Sequence, residues 1–68
     1  MADPHPPLVG LAALVVDVLG AEPKATRDLA RILDRDVATV RDLCTRLQSW
    51  GYLTRRGKSG LGTVWGVA

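Results

Sequence analysis

The stretch TRDLARILDRDVATVRDLCTRLQSWGYLTRR, residues 26–56, decides how this chain folds. Thr26 sits where an N-cap belongs, and Asp28 follows in the first turn, where a carboxylate suits the helix dipole. A short helix over 27–33 is expected, with Leu29, Ile32 and Leu33 as its buried stripe and Ala30 small enough for close approach. Asp34, Arg35 and Asp36 form a sharp turn, and Asp36 is placed to cap a second helix over 37–50. There Val40, Leu43, Cys44 and Leu47 share one face at spacings of three and four. Turning about 100° per residue, Ala38, Arg41, Asp42, Thr45 and Ser49 then point outward, with Thr39, Arg46 and Gln48 on the flanks. Gly51 stands where a left-handed residue ends a helix.

Beyond it, residues 52–56 and 63–67 are rich in aromatic and β-branched side chains, and Gly57, Gly60 and Gly62 loosen the six residues between them. A β-hairpin over 52–67 is expected, with Leu53, Trp65 and Val67 facing the helices and Arg55, Arg56 and Lys58 at its tip. Trp65 also suits a ligand contact, although an aromatic on a closing strand more often fills a core. Upstream, residues 1–6 read as a flexible Pro-rich tail, followed by a first helix over 7–19. Its stripe is Leu8, Leu11, Val15, Val18 and Leu19, and Gly20 is the expected stop. Val9, Ala12, Ala13 and Val16 lie off that stripe and are apolar too. Burial on two sides follows, the second side meeting either another copy of the chain or the hairpin and tail.

A chain of 68 residues supports one core, since a domain this small buries only about 60% of its unfolded surface. The net charge of +2 is unevenly spread. Residues 1–34 carry three bases and five acids, whereas residues 35–68 carry six bases and two acids, so the positive half coincides with the second motif helix and the hairpin. Such a face suits a polyanion, or is simply solvated. The single Cys44 cannot form an internal disulfide, which points to a reducing cytoplasm. Asp17 interrupts the apolar run of the first helix well short of the roughly 20 residues that span a bilayer, so no membrane association is expected. His5 is the only histidine and lies in the Pro-rich tail, and no phosphate-binding loop or metal-ligand cluster occurs. An enzyme, a cofactor and a structural metal are all unexpected.

Leu29-Ala30, Leu33, Thr39-Val40, Leu47, Gly51, Leu53 and Arg55, followed by the glycine-bearing hairpin, make a pattern that covers about two-thirds of the chain. It resembles the DNA-binding core of prokaryotic winged helix-turn-helix regulators of the MarR and IclR types. The matching positions are chiefly packing and capping positions, so they speak for the fold and not for a subfamily. The resemblance implies a mainly α fold of three helices plus a two-stranded antiparallel wing, with residues 37–50 as the recognition helix and the hairpin as the wing. It departs from those types in having no room for their long dimerisation helices, ligand pocket or effector domain, so no small-molecule effector is expected.

Double-stranded DNA is then the expected partner. Arg41 suits guanine O6 and N7, while Thr39 and Thr45 suit phosphate or a thymine methyl. Asp42 either accepts from a cytosine amino group or holds Arg41 or Arg46 in place. Thr26 and Arg27 stand at a helix start, where a backbone phosphate is favoured. Arg55, Arg56 and Lys58 suit backbone or minor groove, or else protect an exposed strand edge. With Ala38 on the outward face and Ser59 in the loop, these twelve residues form the expected DNA-binding set. The reading is a small, nucleoid-associated regulator, a repressor, with a homodimer possible through helix one. The alternatives are a winged helix used to bind a protein, or one domain of a larger DNA-processing or transcription protein.

Overall fold

The computed structural model describes residues 9–68. Three helices and a small antiparallel sheet follow one another as α1 (Gly10–Ala21), β1 (Lys24–Ala25), α2 (Thr26–Leu33), α3 (Val37–Ser49), β2 (Leu53–Ser59) and β3 (Gly62–Val67). The chain is mainly α, arranged as a winged helix-turn-helix, with the hairpin β2–β3 as its wing. The expected tail over 1–6, and Pro7 and Leu8 with it, lie outside the described residues.

Helix α1 starts later than Pro7. Val9 is extended (φ −136, ψ 160) and Gly10 takes φ 59, a step that glycine makes without the penalty a Cβ would bring. Gly20 does not stop the helix. It runs on to Ala21, and Glu22 then becomes extended ahead of Pro23, as the residue before a proline is pushed to do.

The segment between α1 and α2 contains a strand that was not expected. Lys24 and Ala25 pair with Trp65 and Val64, so the sheet has three strands in the order β1-β3-β2 instead of the expected two. Because β1 leads straight into α2, Ala25 is the N-cap and makes no side-chain cap bond, while Thr26 is already helical. Thr26 is therefore not the cap that its residue type suggested. The end of α2 is closed by Asp34 at φ 54, with Asp34 N–H donating to Arg31 O at 3.2 Å and Arg35 N–H to Ala30 O at 2.9 Å. Aspartate tolerates this left-handed position better than most side chains.

Asp36 caps α3, its carboxylate accepting from Ala38 N–H at 3.0 Å. The helix ends at Ser49 with Trp50 as C-cap, one residue short of the expected end. Gly51 (φ 86) then donates to Gln48 O and Tyr52 N–H to Leu47 O, the paired bonds of a Schellman termination.

Val15, Leu19, Leu29, Val40, Cys44, Leu47, Leu53 and Trp65 form the core, each no more than 2% exposed. Each such aliphatic side chain contributes about 1.5–3 kcal/mol by leaving water. Burial pushes the Cys44 thiol up to about 12, so it is a neutral packing group. Ile32 departs from the expected stripe and is 52% exposed. An eight-residue helix offers its neighbours only a narrow face, and Thr26, Leu29 and Ala30 occupy it.

The wing is tighter than three glycines suggested. The strands run to Ser59 and from Gly62, which pair, leaving only Gly60 and Leu61 in the turn. An irregularity between Arg55 and Gly57 takes up the extra residue. Among the described residues no helix is long and apolar enough to cross a membrane, and no group of His, Cys, Asp and Glu could hold a metal ion.

Candidate nucleic-acid interface

The outer surface of α3 carries Ala38, Thr39, Arg41, Asp42, Thr45 and Arg46, all exposed. Two grooves of about 380 Å³ flank it. Arg41 faces the groove toward the wing, with Arg27 from the start of α2 and Lys58 and Ser59 from β2. Thr39, Asp42 and Arg46 instead border the groove toward α1, opposite Val9, Leu11 and Ala12. Ala38 and Thr45 line neither, so the expected recognition face divides into two flanks.

Arg27, Arg41 and Lys58 come from three separate elements and meet in one groove, where none of the described lining residues is acidic. Among the described residues no ion pair engages any of the three. Arg46 lies 3.7 Å from Asp42 one turn back, both well exposed. A surface pair of this kind is worth about 0.3–0.5 kcal/mol and holds neither partner firmly. Of the two arginines expected beside Asp42, Arg46 is the one that pairs with it. Thr45 donates its hydroxyl to Arg41 O at 2.9 Å, which leaves its oxygen only as an acceptor.

Three expected contacts are engaged within the fold, Thr26 at the wall of the groove and Arg55 and Arg56 away from it. Thr26 is 3% exposed, its hydroxyl donating to Thr63 O at 2.9 Å and accepting from Trp65 Nε1 at 3.0 Å. Both bonds are internal, so it fastens the wing to α2 and has no hydroxyl proton left for a phosphate. Arg55 and Arg56 are on the strand and not at the hairpin tip. The Arg55 guanidinium stacks over the Trp65 ring, 5.6 Å from its centroid. Arg56 donates to Val67 O at 2.9 Å, and its side chain lies across Gly66, where a Cβ would come within 2.6 Å of Nε. The tight turn explains the shift: extending β2 to Ser59 leaves only Lys58 and Ser59 beside the tip.

The turn is held at both ends. Leu61 O accepts from Arg27 N–H at 3.3 Å, and Ser59 Oγ accepts from Leu61 N–H at 3.1 Å. Of the groove residues that were not expected, two carry large apolar side chains, Val37 at 37% and Leu61 at 38% exposure. Val37 was legible in principle, since it stands four residues before outward Arg41 on the same helix. Leu61 was not, because its place depends on the turn's attachment to α2.

Fold and groove together define a winged helix-turn-helix domain with a cationic cleft between its second and third helices and its wing. The chain belongs to the HVO_A0114 family, whose model matches residues 12–64, from α1 into β3. No curated protein and no solved structure matches it.

Proposed function

We propose that this chain binds double-stranded DNA sequence-specifically and acts as a small transcriptional regulator, a repressor, with α3 in the major groove and the wing tip on the backbone. The supporting observation is the convergence of Arg27, Arg41 and Lys58 in one groove whose described lining includes no acid. A cleft lined by one sign of charge concentrates field toward a polyanion, and phosphate contacts position the protein while base contacts from α3 specify the sequence. Occupying the site suffices for repression, with no effector required.

Anisotropy of a labelled mixed-sequence duplex, titrated at several salt concentrations, tests this reading. Wild-type binding is expected to fall steeply with salt, and the variant Arg27→Ala/Arg41→Ala/Lys58→Ala to lose it. No binding at low salt sinks the reading.

A second reading has the exposure of Val9 (70%), just before α1, and of Leu14 (52%) on it in its favour. In it the domain binds a protein through α1, and any DNA binding is weak and insensitive to salt. In the DNA reading the same surface pairs two copies, which a two-fold symmetric site requires. Sedimentation of wild type and Leu14→Glu separates the two, since only the second reading leaves the isolated protein monomeric.

A further inference from the structure

Five large apolar side chains are exposed among the described residues, Val9, Leu14 and Ile32 by half or more and Val37 and Leu61 by somewhat over a third. Only Val37 and Leu61 stand in the cationic groove. Val37 opens α3, directly after the capping Asp36, and helix initiation needs nothing from its side chain because the cap bond goes to Ala38 N–H. It lies outside the core cluster. A β-branched residue is moreover a poorer helix former than alanine. The core does not use this side chain, and helix initiation does not call for an apolar one.

The groove's chemistry does. Its cations suit phosphates and guanine, and the C5-methyl of thymine is the apolar group that base edges present in the major groove. Val37 and Arg41 are four residues apart, about 6 Å along the helix axis, close to two base-pair steps of about 3.4 Å. We infer that Val37 is a specificity-determining residue that contacts a thymine methyl, about two steps from the base read by Arg41. The inference rests on the DNA reading above and narrows it to a chemical feature of the target.

The test replaces one thymine at a time with deoxyuridine in a duplex selected from a random pool, which removes the methyl and leaves the pairing intact. Wild type is expected to lose about fourfold in affinity at one position, as for one buried methyl group. Val37→Ala is expected to bind the thymine and deoxyuridine duplexes alike. Ile32→Ala, on an exposed residue away from the groove, keeps the wild-type discrimination, and circular dichroism confirms that both variants fold. If wild type binds a selected duplex but no deoxyuridine substitution weakens it, or if Val37→Ala still discriminates, the Val37 assignment is overturned and the DNA reading stands. If no duplex binds at low salt, both fall together.

Discussion

The indole of Trp65 donates to the hydroxyl of Thr26 at 3.0 Å, across thirty-nine residues of chain. Thr26 donates onward to Thr63 O, so the first turn of α2 and the last strand of the wing are joined through a single buried oxygen. This oxygen, with the Arg27 N–H bond to Leu61 O, sets where the wing stands relative to α2 and α3.

Replacing Thr26 by valine conserves shape but leaves the Trp65 N–H and the Thr63 carbonyl without this partner. A loss of about 1–3 kcal/mol is expected in urea unfolding, as for a buried polar group stripped of its bond. Thr26→Ser should recover most of it. Equal loss in both variants would mean that the methyl packing, and not the hydroxyl, holds the wing.

Leu47 and Ile32 separate core from surface. Leu47 is 0% exposed and Ile32 52%. Leu47→Ala should cost about 2–5 kcal/mol, enough to lower Tm by at least about 10 °C in so small a domain, whereas Ile32→Ala should stay within about 0.5 kcal/mol. Thermal melts followed by circular dichroism at 222 nm check both, and comparable losses would contradict the burial of α2 described above.

Cys44 should be inert in the folded protein. Its thiol is pushed from 9.0 up to about 12 by burial, so almost no thiolate is present at pH 8. A chromogenic disulfide reagent should react with it only after denaturant is added. The sign of the pH effect follows: because the folded value lies above the unfolded one, Cys44 burial is fully stabilising below about 9 and loses its contribution as pH rises from 9.0 toward about 12. Unfolding midpoints measured between pH 7 and 10.5 should fall at the alkaline end.

Lys58 and Arg56 on the wing and Arg41 on α3 should behave differently in DNA titrations. Lys58→Ala is expected to weaken all duplexes alike and to reduce the salt slope by about one, while Arg41→Ala costs about 1–3 kcal/mol and relaxes preference at one base pair. Arg56→Ala should leave the slope unchanged, since its guanidinium is bound to Val67 O. A slope change for Arg56→Ala as large as that for Lys58→Ala would show that the Val67 bond opens on binding.

Local chemistry accounts for what was readable in the chain by itself. The order of helices and hairpin, the cap at Asp36, the left-handed stop at Gly51, the inward set Val40, Cys44 and Leu47 and the core role of Trp65 all follow from periodicity and residue type, which act over a few neighbours. Tertiary structure alone decided the third strand, the burial of Thr26, the exposure of Ile32 and the division of the α3 surface between two grooves. Two residues at 24–25 form a strand only because β3 offers them a free edge, and a threonine hydroxyl that could cap a helix goes instead to an indole thirty-nine positions away. Pairings of that kind depend on how distant elements dock, which no local spacing encodes.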